Sequence, residues 1–516
     1  MDGQEIELKL AIRPEDLASS ALRSCLRLPS GSQARCRHLE STYFDTPDMA
    51  LAQAGIALRL RVTETGHVQT VKTAGSTTSG GLFTRSEWEA PLERFALDPE
   101  HLKSTRLPSF DDDSLIARLE PVFSTAIERE VLHLSDGGEE ADWEIEVALD
   151  LGHVRAGALS TDICEIELEL RRGKPERLFS LARRIMETVP ARPLVASKSE
   201  RGYRLAMGRL TTPQKAKAPT LHPGLTVAEA FQSIARSCLD HLLVNEHCLL
   251  TTGQGEAIHQ MRVALRRLRS AVKVFRPVLD SPRLDEVKAD LRWLLAHLGP
   301  ARDAEVFLAE IVEPVLERHP GNDGLVALRQ HWQSDRDAKV AAAMEAVQSR
   351  RFAALVLGLG EWVETGDWLG RPDAPRKRKL DAPIAEFAMP RLGKAVRRLI
   401  AEARDSLGRL SPEEQHQVRI NCKQVRYAGE FFASLVPRKH MKVFLAELAE
   451  LQDVLGQLND IAVAGPKLSG KHMTGPKAKA AGLVAGWHQA RRPALTAEAE
   501  KAWKRWRACP LPWQEN

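Results

Sequence analysis

Glutamates alternate with apolar residues in two segments near the two ends of the N-terminal region. Glu5 and Glu7 precede Lys9 in EIELK, and Glu165 and Glu167 follow the same spacing in EIELEL. Alternate residues of an extended strand share one face, so each segment stacks carboxylates that repel one another. Such a face is stabilised by a bound cation, and carboxylate oxygens are ligands that hard divalent cations prefer. The spacing therefore indicates a metal-binding surface.

Other segments of the same region carry the opposite charge. Arg59 and Arg61 alternate in RLRV, and Lys72, Arg129 and Lys198 lie in TVKT, EREV and SKSERG. Guanidinium and ammonium groups bind phosphate oxygens. A solvated surface is the alternative for any one strand, but it would more often interleave the two signs along that strand. Signs sorted by strand predict a tunnel for a metal ion and a polyanion, with carboxylates on one wall and cations on another.

The chain up to about residue 210 has the pattern of a β domain. Eight segments alternate polar and apolar residues with period two, between turns that contain Gly, Pro or Asp. Eight such segments favour an antiparallel closed or nearly closed sheet, which two helical stretches interrupt. Arg85, Glu87 and Glu89 alternate in one segment and could reach the lumen, with no role assigned. We place this domain at 1–208 and a linker rich in Pro, Lys and Thr at 209–221.

A basic stripe follows one helical face in the remainder of the chain. Residues at i, i+3, i+7, i+10 and i+14 share a narrow face of a helix. At this spacing the sequence has His259, Arg262, Arg266, Arg269 and Lys273. Like charges so placed destabilise a helix, and a solvated face would normally intersperse glutamates. A bound polyanion explains the pattern, and its affinity would fall steeply with salt.

The stripe occurs twice because the helical half contains an internal repeat. HQMRVALRRLR begins at His259 and HQVRINCKQVR at His416, 157 positions later, and LGPARD and LGQLND are separated by the same offset. Two matches at one offset indicate a duplicated helical unit. The second stripe consists of His416, Arg419, Lys423 and Arg426. We place the helical domain at 222–508, with repeats at about 222–370 and 382–508.

The N-terminal motifs resemble those of the CYTH or triphosphate-tunnel family. EIELK, YFDT, LRLR, VALD, CEIELEL and SKSERGY occur in the family's order over roughly residues 1–205. The resemblance implies an eight-stranded tunnel that binds a triphosphate with Mg²⁺ or Mn²⁺. Carried over position by position, it implies metal-side carboxylates at Glu5, Glu7, Asp150, Glu165 and Glu167. It implies phosphate contacts at Lys9, Arg59, Arg61, Lys72, Arg129 and Lys198.

The chemistry of a triphosphate explains why these residue types are needed. Phosphoanhydride cleavage requires neutralised phosphate oxygens and a water held in line, and a carboxylate-bound metal can supply both. We expect catalytic roles for Glu5, Glu7, Lys9 and Lys72. The general base stays open among Lys72 with a pKa lowered by cationic neighbours, a glutamate, and metal-activated water. Metal-activated water ranks first because it needs no shifted side-chain pKa.

The helical motifs resemble the CHAD domain, over about residues 222–505. HQMRVALRRLR followed by LGPARD is the recognisable core, and CYTH followed by CHAD is a known fusion. The resemblance implies two pseudo-two-fold related four-helix bundles that bind inorganic polyphosphate along both stripes and Arg302. Asn459 stands where the first copy has Arg302, so we expect weaker binding there. The expected fold class is therefore an α+β multidomain protein, with a β-tunnel and flanking helices before an all-α pair of bundles.

Composition supports two modules with different partners. Residues 1–210 contain 27 Lys and Arg against 34 Asp and Glu, a net charge of −7, and the remainder has 46 against 35, a net of +11. The seven cysteines are scattered without a Cys-x-x-Cys pair, which suits a reducing compartment. No apolar run is long enough for a membrane span and the N-terminus lacks a secretory pattern. We expect a cytoplasmic protein, associated with polyphosphate granules.

The expected function is metal-dependent hydrolysis of inorganic triphosphate, with polyphosphate binding by the helical domain. A class IV-like adenylate cyclase would use the same tunnel, but no segment indicates an adenine pocket. A polyphosphate-granule binding protein with an idle tunnel is the third hypothesis. Nucleic acid is not expected as a partner, because aromatics make up only 5% of the chain and none is interleaved in the first stripe. The preferred triphosphate and the oligomeric state stay open.

Overall fold

The computed structural model describes residues 3–26, 36–63, 66–73, 82–136, 142–370, 374–470 and 474–513. The chain divides into two compact units. The first comprises Met1–Gln214, Leu239–Thr252 and Val347–Asp367, and the second comprises Lys215–Cys238, Gly253–Ala346 and Trp368–Asn516. The main segment of the first unit therefore ends within the linker predicted at 209–221.

One antiparallel sheet forms the first unit, and within the described residues it has nine strands. They are β1 (Gly3–Ile12), β2 (Cys36–Asp45), β3 (Ile56–Thr63), β4 (Gly66–Thr73), β5 (Leu82–Leu92), β6 (Glu120–Ser135), β7 (Glu144–Ala156), β8 (Leu159–Arg172) and β9 (Ala191–Pro193). The order is β5-β4-β3-β2-β6-β7-β8-β1-β9, and pairing of β5 with β1 closes the sheet. The closed antiparallel sheet confirms the predicted tunnel. The ninth strand has only three residues, too few to show an alternation.

Short helices accompany the barrel. They are α1 (Pro14–Leu17), α2 (Ser20–Cys25), α3 (Ala50–Gln53), α4 (Pro99–Ser104), α5 (Asp113–Ile116), α6 (Glu176–Thr188) and α7 (Lys198–Ala206). The apolar face of α6, including Leu178, Phe179 and Ile185, packs on the outer face of the barrel, where Leu8 and Leu168 are buried. Because these outward residues alternate with Glu7 and Glu167, covering the outer face leaves the charged face to the lumen.

Helix α7 has a capped N-terminus and packs closely against the barrel at its middle. Ser197 accepts a hydrogen bond from the Glu200 amide, and Glu200 accepts one from the Ser197 amide, which forms a capping box. At Gly202 a Cβ atom would lie 2.0 Å from the ring of Phe123, so only glycine permits this close packing. The helix therefore holds Lys198, its first residue, in a defined position beside the barrel.

The remainder of the described chain is helical, as predicted. Its helices are α8 (Val227–Thr252), α9 (Gly255–Leu279), α10 (Arg283–Val306), α11 (Glu313–Arg318), α12 (Asp323–Gln348), α13 (Arg350–Thr365), α14 (Asp367–Gly370), α15 (Ala374–Asp381), α16 (Ile384–Ala403), α17 (Pro412–Phe431), α18 (Arg438–Leu468) and α19 (Gly475–Ala508). A π-helical turn, Phe307–Val312, joins α10 to α11. Helix α9 begins 157 positions before α17, which is the offset of the sequence repeat. Each basic stripe thus lies on the equivalent helix of its own copy.

Candidate functional site

The barrel encloses a polar cavity of about 410 Å³. Its charged lining consists of Glu5, Glu7, Lys9, Arg37, Arg59, Arg61, Lys72, Glu87, Glu89, Arg129, Glu146, Glu167, Glu169, Arg171 and Lys198. Tyr43, Ser197 and Ser199 add hydroxyl groups. Every predicted catalytic and phosphate-binding residue of the tunnel therefore lines one cavity. Of the predicted metal ligands, Asp150 and Glu165 do not reach the lining but are buried beside it.

Strand register arranges the lumen in layers. Glu165 of β8 lies opposite Asp150 of β7, which in turn lies opposite Arg129 of β6. One layer along, Lys9 of β1 lies opposite Glu167 of β8. The next layer is wholly acidic across three strands, and it consists of Glu7, Glu169 and Glu146. The layers therefore change along the tunnel from paired charges to an excess of carboxylates.

The inner carboxylates are neutralised by buried cations. The ammonium group of Lys198 lies 2.6 Å from an Asp150 oxygen and 2.9 Å from a Glu167 oxygen, and it also pairs with Glu165. Burial would lower the pKa of Lys198, but these carboxylates outweigh it and raise that pKa. Burial would likewise raise the pKa of Glu167, yet Lys198, Lys9 and Arg129 hold it well below its ordinary value. Lys198 and Arg129 also lower the pKa of Asp150 against the effect of its burial, so Asp150 and Glu167 are ionised.

This pairing differs from the predicted separation of the two charges onto different walls. Arg129 forms two hydrogen bonds to Asp150, at 2.7 and 2.6 Å, and also pairs with Glu167, while Lys9 pairs with Glu7 at 3.0 Å and with Glu167. Buried carboxylates need counter-charges, and cross-strand neighbours are the closest source of them. The alternation within each strand correctly identified charged residues of the lumen. Carboxylates and cations are mixed across the lumen, however, and are not separated onto different walls.

The inner carboxylates have the donor chemistry of a divalent-cation site. One oxygen each from Asp150, Glu165 and Glu167 lies within 4.8 Å of the others. Glu165 Oε2 is buried and has no hydrogen-bond partner among the described residues. The Arg201 guanidinium group lies 3.6 Å from this oxygen as an ion pair. Three carboxylates so placed offer the oxygen ligands that Mg²⁺ and Mn²⁺ prefer. Any such ion would share these oxygens with the Lys198 ammonium group.

A second side of the lumen presents cations with little compensation. Arg61 forms no ion pair within 4.0 Å of a described carboxylate and donates only to the Ser41 hydroxyl, at 3.2 Å. Burial and the charge of Arg59 lower the pKa of Arg61 to about 10. Burial would raise the pKa of Tyr43, but Arg59 and Arg61 outweigh it and lower that pKa. Arg59 lies 3.6 Å from a Glu87 oxygen and 3.8 Å from a Glu89 oxygen, so Arg61 is the one of these two arginines without a close counter-charge. A buried arginine in that state is ready to bind anionic oxygens.

In the acidic layer formed by Glu7, Glu146 and Glu169, negative charge is in excess. Burial and the charge of Glu5 raise the pKa of Glu169 to about 7, with Glu146 and Glu7 adding to the shift and Arg171 opposing it. Lys72 lies 3.0 Å from both Glu5 and Glu87, so its closest charged partners are carboxylates. Carboxylates therefore contact Lys72, in place of the cationic neighbours that the sequence-based hypothesis for this residue required.

Several lumen residues escaped the sequence-based assignment. They are Arg37, Tyr43, Glu146, Glu169, Arg171, Ser197 and Ser199. Glu169 shares the alternation of Glu165 and Glu167 but was given no role, and extending that alternation by two positions would also have found Arg171. Glu87 and Glu89, which had no assigned role, line the cavity. The side chain of Arg85 lies outside the described residues.

The two basic stripes lie on neighbouring helices. Helices α9 and α17 are in contact, and a buried arginine of α9, Arg267, pairs with Glu430 of α17. Lys423 of α17 faces Arg266 and Arg262 of α9. Burial, Arg419 and Arg266 lower the pKa of Lys423 to about 7. The structure therefore brings cations of both repeats together at one place.

Many polar atoms of this basic surface lack partners. The Nε atoms of Arg262, Arg266 and Arg419 are buried without a hydrogen bond among the described residues, as is Nδ1 of His259. Burial and the nearby Arg302 lower the pKa of His259 to about 4, so its ring is neutral at physiological pH. Unused donors next to accumulated positive charge favour an anionic ligand.

Some stripe residues are already paired. Arg262 donates to Asp303 at 2.9 Å, Arg426 to Glu430 at 2.9 Å, and Lys273 to Gln424 at 2.6 Å. The two copies differ where the sequence predicted a difference. Arg302 pairs with Glu305 at 3.2 Å in the first copy, whereas Asn459 contacts His416 at 2.5 Å in the second. The second copy therefore lacks a cation at this position.

Comparisons with known proteins agree with this architecture. The CYTH domain model matches residues 3–203, and the CHAD domain model matches residues 233–469. The chain therefore belongs to the proteins that join a CYTH domain to a CHAD domain. In the part of the chain that the structure describes, none of the helices combines the length and apolarity of a membrane span.

Two relatives cover different halves of the chain. An inorganic triphosphatase from Haemophilus influenzae is 34% identical over 218 residues, a match that covers 40% of this chain and 57% of that protein. The match thus spans little more than half the length of that relative. The crystal structure of the CHAD domain from the plant Ricinus communis is 31% identical, with a TM-score of 0.51, and covers 59% of this chain and 99% of that one.

Proposed function

We propose that the barrel hydrolyses inorganic triphosphate with the help of Mg²⁺ or Mn²⁺, and that the helical domain binds inorganic polyphosphate. The observation that carries the first part is the lumen, where the ionised carboxylate of Glu167 lines the same cavity as Arg61, which has no carboxylate partner within 4.0 Å among the described residues. Similarity to an inorganic triphosphatase over the barrel supports it. The second part is supported by the converging cations of α9 and α17.

Each group of lumen residues has a distinct task in this proposal. Asp150, Glu165 and Glu167, together with Glu5 and Glu7, would hold the cation, which when bound polarises the phosphate and activates water. Lys9, Arg129 and Lys198 fix these carboxylates in position. Arg59 and Arg61 bind the phosphate oxygens on which charge develops as the anhydride bond breaks. The enclosing barrel limits access of bulk water, which strengthens each of these interactions.

The helical domain is proposed to bind polymer rather than to cleave it. Among the described residues, the carboxylates whose spacing suits a metal ion are Asp150, Glu165 and Glu167 of the barrel, and the basic surface has no such group. Between His259 and Lys273 the stripe spans fourteen helical positions, or about 21 Å at the α-helical rise. A chain of many phosphates could contact the whole stripe at once, which a triphosphate could not.

One substrate panel tests the enzymatic part of the proposal. Phosphate release would be measured from triphosphate, pyrophosphate, long-chain polyphosphate and ATP, each with Mg²⁺, with Mn²⁺ and with chelator. We expect the fastest release from triphosphate and none with chelator. Release of pyrophosphate from ATP would instead support a cyclase. Absence of turnover with every substrate, together with tight polyphosphate binding, would support the granule-binding hypothesis.

A further inference from the structure

Arg171 lies at the acidic end of the lumen, next to the last residue of β8. Its guanidinium group is 2.9 Å from a Glu146 oxygen and 2.6 Å from a Glu169 oxygen. The Arg171 side chain is 44% exposed, whereas those of Glu146 and Glu169 are 18% and 20% exposed. An accessible cation therefore covers carboxylates that point into the cavity.

The carboxylates beneath Arg171 belong to the layer with an excess of negative charge. Glu169 lies opposite Glu7 on one neighbouring strand and opposite Glu146 on the other. Lys9 pairs with Glu7 at 3.0 Å. Within the described chain, Arg171 is the cation within hydrogen-bonding distance of Glu146 and Glu169. His133 comes no closer to Glu146 than 3.9 Å. Arg171 is thus the main compensating charge at this end.

We propose that Arg171 acts as a tethered counter-ion that competes with the divalent cation for the acidic end of the lumen, where Glu7, one of the proposed cation ligands, lies opposite Glu169. Two positive charges on adjacent carboxylates repel each other, so a metal ion that enters must weaken or displace the Arg171 ion pairs. The inference rests on the proposed metal-dependent function. It adds that Arg171 sets the concentration of divalent cation at which the ion binds in the lumen.

A comparison with Lys198 explains why Arg171 is the adjustable cation. Lys198 is almost wholly buried among Asp150, Glu165 and Glu167, so removing its charge would leave buried carboxylates without compensation. Arg171 is half exposed and near the end of its strand, where a solvated ion pair contributes little free energy. Its guanidinium group can therefore move into solvent at small cost when another cation takes its place.

The test is Mn²⁺ binding by the full-length protein without substrate, measured from the free-ion electron paramagnetic resonance signal at fixed pH and ionic strength. Arg171→Gln should lower the Mn²⁺ Kd by about three- to tenfold, the effect of removing one or two exposed ion pairs. Arg171→Lys, which keeps the charge, should remain close to the parent. Arg172→Gln is the matched control, because it removes the same charge from the next, exposed position of β8.

Each outcome bears on the proposal. Tighter Mn²⁺ binding in Arg171→Gln alone supports it. An unchanged or larger Kd in Arg171→Gln overturns it, as does equal tightening in Arg172→Gln, which would reflect net charge only. Absence of Mn²⁺ binding by the parent protein also overturns it, because no competition could then exist. Failure of the proposed hydrolysis is a separate result, seen as absent phosphate release in a protein that still binds Mn²⁺ with the predicted difference.

Discussion

The barrel lumen and the helical surface both collect cations, but they compensate them differently. In the lumen, Lys9, Arg129 and Lys198 are interleaved with buried carboxylates, whereas the centre of the helical surface, around Arg266 and Lys423, forms no ion pair with a described carboxylate. A buried charge without a partner is costly, so a bound anion would stabilise the half-buried cations of the helical surface. The lumen therefore contains both signs of charge in close pairs, whereas the centre of the helical surface presents positive charge alone.

The largest loss of activity should come from removing the lumen carboxylates Glu5 and Glu7, which have no counterpart in the basic stripes. Glu5→Gln together with Glu7→Gln should lower triphosphate turnover by at least about a thousandfold, because lost metal ligands forfeit several kcal/mol of transition-state stabilisation. Phosphate release under saturating metal measures this. Glu93→Gln with Glu100→Gln is the control, since both residues are exposed and outside the cavity. Turnover of the lumen variant within tenfold of the parent would contradict the assignment.

The next effect concerns the phosphate-binding side of the lumen. Arg61→Ala and Arg59→Ala should each lower kcat/KM for triphosphate by about a hundredfold, the usual cost of removing a positioned cation. Because burial disfavours the charged form of Arg61, Arg61→Ala should leave the thermal unfolding midpoint unchanged or higher. Activity and unfolding would be measured on the same samples. A variant that loses both stability and activity would indicate a structural role instead.

The helical surface should respond through salt dependence. Replacing Arg262, Arg266 and Arg269 with Gln should weaken long-chain polyphosphate binding by at least about tenfold and reduce the slope of log affinity against log salt by about 2. Lys439, Lys501 and Lys504, changed to Gln together, form the control, because all three are exposed and outside the stripes. Equal losses in both triple variants would mean that net charge, and not the stripe, governs binding. Preference for single-stranded RNA or DNA at equal charge would contradict the polyphosphate assignment.

The smallest effect is a pH dependence confined to the helical surface. The pKa of Lys423 is lowered to about 7 by burial, Arg419, Arg266 and Arg262, with Asp460 opposing. A bound polyanion should raise that pKa, so the added affinity is present below about pH 7 and is lost as pH rises above it. The loss approaches tenfold per pH unit at most. Lys423→Arg should abolish this component, and a pH profile unchanged by Lys423→Arg would refute it.

The sequence predicted the architecture well because its periodicities are local. Alternation identified eight of the nine described strands, and the 157-residue offset matched α9 to α17. Lumen residues of β1, β3 and β8 were found because each strand repeats its charge. Pairing between strands was harder to predict, because the register of neighbouring strands decides that Arg129 meets Asp150 and that Arg171 meets Glu146. The inclusion of 239–252 and 347–367 in the barrel unit likewise depends on contacts between distant segments.

The most direct test of the account compares the two regions in the same full-length protein. Triphosphate hydrolysis and polyphosphate binding would both be measured for Glu5→Gln/Glu7→Gln and for Arg262→Gln/Arg266→Gln/Arg269→Gln. We predict that the first variant loses hydrolysis and keeps polymer binding, and that the second loses polymer binding and keeps hydrolysis of triphosphate. Loss of triphosphate hydrolysis in the helical variant, with hydrolysis retained in the lumen variant, would contradict the account.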